Sequence, residues 1–186
     1  MAGNKPHETE IRSDTSVFPA GCRVSAFKRI TVLLAEDHAV VRRSLCRLLE
    51  IGNDFKVMQA RNGREAVEMA ASLRPDVILL NVAMPVINGL QATRLILAAN
   101  PAAKVIILSA HTDVVYVECM TAVGAVGFLE KQTAAGILTE AIREVVKGRR
   151  FFSPAIVKRM TEAKHWSLSQ EDHVPAARGR QSKERK

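Results

Sequence analysis

Five polar side chains follow short apolar runs, at points where strands of a sheet would end. Glu36 and Asp37 form an acidic pair after ITVLL, Asn81 and Ser109 end two further runs, and Lys131 follows a fourth. Each residue alone is typical of a solvated loop, a turn or a cap, but their joint occurrence indicates a site. By charge count, two carboxylates attract a divalent cation. No Ser-His-Asp or Cys-His arrangement accompanies them, so nucleophilic hydrolysis is not indicated.

The elements that would position these side chains alternate along the chain. Short, nearly continuous apolar runs are typical of parallel strands covered on both faces, and they occur at 30–34, 55–60, 76–81, 104–109 and 126–130. Apolar residues at helical spacing predict intervening helices, at about 38–51, 62–73, 88–99, 112–123 and 133–148. The alternation predicts a doubly wound α/β sheet, whose strands bring their polar carboxyl ends to one edge.

Composition excludes several classes of protein. A chain of 186 residues with mean hydropathy +0.02 can bury one core of ordinary size, which excludes a large multidomain enzyme. Cys22, Cys46 and Cys119 are scattered and show no CxxC spacing, so we expect neither a disulfide framework nor a zinc site. No apolar run approaches the roughly 20 residues that span a bilayer, and no signal peptide is visible. We therefore expect a cytoplasmic protein with no membrane segment.

Charge and texture divide the chain into three parts. The net charge is +8, and residues 153–186 supply half of it, with eight Lys and Arg against four Asp and Glu. Residues 1–28 follow neither a helical nor a strand period, which predicts a disordered leader. Residues 29–152 form the predicted domain. Ser153 and Pro154 predict the start of a short helix that leads into a basic tail.

Four strings in the predicted domain resemble the receiver domain of bacterial two-component response regulators. They are VLLAEDH (32–38), DVILLNVAMPVINGL (76–90), VIILSA (105–110) and GAVGFLEK (124–131). Their order and spacing make the resemblance specific, and it covers residues 29 to about 152. The resemblance implies a flavodoxin-like, five-stranded parallel sheet of order 2-1-3-4-5 with helices on both faces.

The resemblance also assigns a role to each polar position. In the family, a carboxylate at the end of the third strand accepts a phosphoryl group from a phosphohistidine, and Mg²⁺ neutralises the phosphoryl oxygens. The matching positions bind the ion, pair with the phosphoryl group or switch in response to it. They are Glu36, Asp37 and the backbone carbonyl of Ala83 for Mg²⁺, Lys131 for the phosphoryl group, and Ser109 and Phe128 for the switch.

The phosphoacceptor position departs from the family, because Asn81 stands where the family has aspartate. A carboxamide nitrogen is not a usable nucleophile, and a neutral amide oxygen holds Mg²⁺ less well than an anion does. We expect no ordinary aspartyl phosphorylation and weak or absent Mg²⁺ binding, with Lys131 leaning toward Asp37 into the ion's space. Two explanations stay open: a natural phosphorylation-independent receiver, or a phospho-null substitution in an ordinary one.

The C-terminal part resembles the beginning of a LuxR-type output domain. GRRFFSP (148–154) is similar to the stretch that precedes its linker, and LSQED with AARGRQSKE resembles a first helix and turn with residues deleted. No recognition helix follows, so we interpret 153–186 as a linker helix and basic tail, the remnant of a helix-turn-helix domain. Sequence-specific DNA binding is not expected. The alternative is a substituted or truncated form of a DNA-binding transcriptional regulator.

We expect a protein-binding module rather than an enzyme. A phosphatase of the haloacid-dehalogenase type would need a DxD pair after its first strand, and AEDHA offers none. The predicted partners are a sensor histidine kinase or another signalling protein, with a homodimer as a further option. The predicted contact surface joins the fourth helix, fifth strand and fifth helix. It contains Val114, Val115, Tyr116, Arg143, Lys147, Arg149 and Arg150.

Overall fold

The computed structural model of the protein describes residues 28–110 and 113–171, the last nine of these as backbone only. Strands and helices alternate throughout this part of the chain. They are β1 (Ile30–Ala35), α1 (Ala39–Glu50), β2 (Phe55–Ala60), α2 (Gly63–Leu73), β3 (Val77–Asn81), α3 (Gly89–Ala99), β4 (Val105–Ser109), α4 (Val114–Val123), β5 (Gly127–Glu130), α5 (Lys131–Val146), β6 (Phe151–Phe152) and α6 (Pro154–Glu171).

The strands form one parallel sheet of order β2-β1-β3-β4-β5-β6. Every residue of β3 and β4 is buried, which explains why these runs are apolar without alternation. The predicted order 2-1-3-4-5 and the flavodoxin-like fold are confirmed. Because all strands run in the same direction, their carboxyl ends share one edge, where the five polar positions of the sequence lie.

Two apolar layers cover the two faces of the sheet. Neighbouring residues of β1 enter different layers: Leu33 packs in the layer under α2, α3 and α4, and Leu34 in the layer under α1 and α5. Successive strand side chains point to opposite faces, so a strand covered on both sides must be apolar at each position. Helices therefore pack on both faces of the sheet and fix the positions of the strand ends, where the polar residues lie.

The structure adds one strand that the sequence pattern did not predict. β6 contains only Phe151 and Phe152, and it pairs in parallel with β5. A two-residue strand is too short to produce a recognisable period, so sequence patterning cannot detect it. The packed core also continues beyond residue 152, since Ile156 of α6 is completely buried.

Some predictions fall outside the described residues. The leader, apart from Lys28, and the tail from residue 172 onward belong to this group. Within the described residues, no helix has the length and apolar character needed to cross a membrane.

Candidate functional site

The acidic pair lies directly after β1, at the carboxyl edge of the sheet. The backbone N–H of Glu36 donates to the carbonyl of Ala60 at 3.1 Å, which extends the β1–β2 ladder by one residue. Glu36 is completely buried, whereas the Asp37 side chain is about one quarter exposed (24%). Arg42 donates to the Glu36 carbonyl at 2.7 Å and fixes the turn into α1. The structure thus places the two carboxylates side by side, with Glu36 excluded from solvent and Asp37 in contact with it.

Asn81 ends β3, and its amide nitrogen points into the acidic pair. Asn81 Nδ2 donates to Asp37 Oδ1 at 2.8 Å, to Glu36 Oε1 at 3.2 Å and to the carbonyl of Ala83 at 3.1 Å. Asn81 is buried, with a relative exposure of 2%. These three oxygens are the atoms that the resemblance assigned to Mg²⁺. The side-chain amide brings partial positive charge to their common focus.

The loop after β3 holds the Ala83 carbonyl in this arrangement. Gly89 N donates to the carbonyl of Val82 at 2.8 Å and closes the loop. A Cβ on Gly89 would lie 2.6 Å from the Asn81 carbonyl oxygen, so this close approach requires glycine. Val86 adopts φ +70°, with Ile87 N donating to Pro85 O at 2.8 Å around it. A positive φ is rare for a β-branched residue, so the loop is tight and locally strained.

Lys131 pairs with Glu36, and the prediction that it leans toward Asp37 is wrong. Lys131 Nζ lies 2.8 Å from Glu36 Oε2, an ion pair without the angles of a hydrogen bond. The reason is burial: Glu36 has lost all its water and needs a countercharge, whereas Asp37 reaches solvent. Lys131 is also the first residue of α5, two residues earlier than the predicted start, so its backbone is fixed by the helix.

Ser109 and Phe128 occupy the positions expected for a switch pair. Ser109 ends β4 beside Glu130 of β5, and its side chain is buried. Phe128 lies two residues before Glu130 in β5, opposite Ile107, with its ring packed in the layer under α4. Both side chains are therefore inside the domain. The structure confirms their placement on adjacent strands.

Sequence reasoning missed His38, which follows the acidic pair directly. His38 Nδ1 lies 3.2 Å from Asp37 Oδ1 and 3.3 Å from Glu36 Oε1, although the ring is largely exposed. Burial raises the pKa of Asp37, but hydrogen bonding with its own backbone, Glu36 and Asn81, together with the charge of His38, outweighs this and lowers it. The sequence did contain a signal for His38. It lies between the acidic pair and the predicted first helix, so it must be close to the carboxyl edge of the sheet.

A parallel sheet with an acidic pair after β1, a polar residue at the end of β3 and a lysine after β5 defines the class of receiver domains. The profile of the response regulator receiver domain family matches residues 32–143, and the chain belongs to that family. A crystal structure of a two-component response regulator of the LuxR family from Aurantimonas sp. SI85-9A1 superposes with a TM-score of 0.71 at 28% identity. The match covers 74% of this chain and 99% of that one.

Curated relatives are longer than this chain. The transcriptional regulatory protein DegU of Brevibacillus brevis is 34% identical over 133 residues, which is 71% of this chain and 56% of the relative. The response regulator UvrY of Escherichia coli (strain K12) is 36% identical over 132 residues, 70% of this chain and 61% of UvrY. The chain therefore matches somewhat more than half of the length of these relatives.

Family membership implies a Mg²⁺ ion at the acidic pair, and the geometry tests this implication. Glu36 Oε1, Asp37 Oδ1 and the Ala83 carbonyl do converge, but they converge on an N–H donor of Asn81. A cation and an N–H group cannot share one focus, because both would use the same lone pairs. Lys131 already balances one of the two negative charges. In this arrangement the residues do not fit a Mg²⁺ ion.

Proposed function

We propose that this protein is a receiver that works without aspartyl phosphorylation and signals by binding another protein. The observation that carries the proposal is the amide of Asn81 at the phosphoacceptor position, whose nitrogen is held by three oxygen acceptors. A carboxamide engaged in this way offers no anionic oxygen to a phosphoryl donor. The fold of an ordinary receiver is kept, so a partner can bind the exposed surfaces of the domain without a phosphoryl group.

Mg²⁺ binding is weak or absent under this proposal. The Asn81 N–H groups stabilise the paired carboxylates, and Lys131 stabilises Glu36, so the cluster needs no external cation. A Mg²⁺ ion would have to displace both the Asn81 amide and Lys131 from the carboxylates, which lowers the affinity of the site for the ion. The pocket would then hold one fixed arrangement instead of the two that a phosphorylated receiver alternates between.

Membership of the receiver family indicates which kinds of partner this protein binds. Receivers belong to two-component systems, so a sensor histidine kinase or another signalling protein is the proposed partner, and a second copy of the chain is a further option. Regulation of transcription is the second candidate function, because the DegU relative is named a transcriptional regulatory protein. Nanomolar, sequence-selective DNA binding at physiological salt would favour that candidate. Weak binding that falls steeply with salt would indicate phosphate contacts alone.

Acetyl phosphate labelling tests the proposal. The native chain and Asn81→Asp are incubated with acetyl phosphate and Mg²⁺, and mass spectrometry measures the added phosphoryl group. We expect no labelling of the native chain and labelling of the Asp variant, because Glu36, Asp37, Ser109 and Lys131 surround the restored carboxylate. Labelling of the native chain would overturn the proposal. An unlabelled Asp variant would show that the pocket cannot support phosphoryl transfer at all.

A further inference from the structure

A cavity lies between the carboxyl-terminal ends of α2 and α3, at the amino edge of the sheet and away from the acidic pair. Its volume is about 150 Å³, roughly that of a cavity that holds benzene. Buried residues of α2, β3 and α3 form its floor: Ala70, Ile78 and Ile96. Arg74 and Ala99 also line the cavity and are exposed, so it opens to solvent.

Small side chains create this cavity. Ala70 and Ala71 of α2 line it together with Ala99 of α3 and Ala103, which precedes β4. Protein interiors are close-packed, so a space of this size beside the core is uncommon. A hydrocarbon or aromatic group that entered the cavity would leave water and contact apolar side chains, which favours its binding.

Arg74 brings positive charge to the rim of the cavity. It is the C-cap residue of α2, and its φ of +43° lies in the left-handed region, which is uncommon for a residue other than glycine. The backbone N–H of Arg74 donates to the Ala70 carbonyl at 3.2 Å. Within the described part of the chain, its guanidinium makes no hydrogen bond or ion pair. The N–H donors of this side chain are therefore available to a ligand.

Asn100 adds a second donor at the rim. It is the C-cap residue of α3, and its Oδ1 accepts from Ala102 N at 3.2 Å. This hydrogen bond orients the amide and leaves Nδ2 as a donor. None of the described residues that line the cavity is acidic. A guanidinium and an amide N–H beside an apolar floor are suited to a carboxylate attached to an apolar body.

We infer that this cavity binds a small monocarboxylic acid, with its aromatic or branched aliphatic body on the apolar floor and its carboxylate beside Arg74 and Asn100. The carboxyl-terminal ends of α2 and α3 carry partial negative charge. A carboxylate at the rim therefore depends on Arg74 for its binding. The site lies at the opposite end of β3 from Asn81, and the inference does not rest on the proposed function.

An NMR titration of the full chain with benzoate tests the inference, and benzamide serves as a neutral ligand of nearly the same shape. We expect saturable shift changes at the amides of Ala70, Ile78 and Ile96, with a dissociation constant for benzoate of about 1 mM. Benzamide should bind at least about tenfold more weakly, because it carries no charge. Equal affinities, or no saturable change at these amides up to about 20 mM benzoate, would overturn the inference.

Two pairs of variants sharpen the test. Arg74→Gln should weaken benzoate binding at least about tenfold, whereas Arg94→Gln, a change at an exposed arginine of α3 outside the cavity, should leave it unchanged. Ala99→Leu should fill the cavity and abolish the saturable binding of benzoate. Ala98→Leu is its control, because Ala98 is also exposed but does not line the cavity. Unchanged benzoate affinity in Arg74→Gln or in Ala99→Leu would contradict the assigned site.

Discussion

Two carboxylate sites lie at opposite ends of the same pair of strands, β1 and β3. At the amino end, Asp76 Oδ2 accepts from Thr31 N at 2.7 Å and from Thr31 Oγ1 at 2.6 Å, while Asp76 N donates back to Thr31 Oγ1 at 2.9 Å. At the carboxyl end, Asn81 donates to the acidic pair. Both sites join β1 to β3 through hydrogen bonds made within the chain.

The comparison shows what the asparagine changes. The amino-terminal site is an ordinary structural contact, in which Asp76 Oδ2, Thr31 Oγ1 and both backbone N–H groups have hydrogen-bond partners. In the family, the carboxyl-terminal site binds an ion, which requires negative charge left unmatched by the protein. Here Lys131 balances one of the two charges, and the Asn81 amide donates hydrogen bonds to both carboxylates, so this end of the sheet is also held by interactions made within the chain.

The largest expected effect comes from Lys131→Met. This change leaves the buried Glu36 carboxylate without its countercharge, and we expect a loss of about 3 kcal/mol in the free energy of unfolding. Lys158→Met is the matched control, because Lys158 and Glu162 are 78% and 62% exposed and 3.9 Å apart. It should cost less than about 0.5 kcal/mol. Urea denaturation measures both; equal losses would mean that burial of Glu36 is unimportant.

Asn81→Ala should separate the two ends of the sheet. It removes the donor shared by three oxygens, so we expect a loss of about 2 kcal/mol, part of which added Mg²⁺ recovers by binding the freed carboxylates. Thr31→Val at the amino end should cost about 1 kcal/mol, with no recovery by Mg²⁺. Thermal unfolding with and without Mg²⁺ measures this. The same response to Mg²⁺ in both variants would break the comparison.

Acid should weaken both ends. Burial raises the pKa of Asp76, but its hydrogen bonds to the Thr31 side chain and backbone and the charges of Lys28 and Lys104 outweigh this and lower it, as at Asp37. Each carboxylate therefore stabilises the fold fully above its ordinary pKa of 3.8 and loses this contribution as pH falls through its lower folded pKa.

Asp76→Asn measures this acid sensitivity at the amino end alone. The variant should be about 1 kcal/mol less stable at neutral pH, and the difference should shrink below pH 3.8, the ordinary pKa of the carboxyl group. Urea midpoints measured across this range provide the check. A difference that is constant with pH would mean that the charge of Asp76 does not contribute.

Sequence patterns predicted most of the fold, because its strands are apolar at nearly every position and its helices have clear periods. Asn81, at the end of β3, was recognised as decisive because the family that the sequence resembles has aspartate at this position. Its three hydrogen bonds could not be predicted, since they depend on which amide atom faces the acidic pair. The partner of Lys131 was predicted wrongly, because periodicity does not reveal that Glu36 is completely buried whereas Asp37 is partly exposed to solvent. β6 was too short for any pattern.

Mg²⁺ titration of the native chain beside Asn81→Asp tests the central claim most directly. Calorimetry or NMR shifts give the two affinities at the same pH and ionic strength. If the Asn81 amide stands in for the ion, the Asp variant should bind Mg²⁺ at least about tenfold more tightly, because it gains one anionic ligand and loses the competing N–H groups. Equal affinities would contradict the account, since the group at position 81 would then have no influence on the ion.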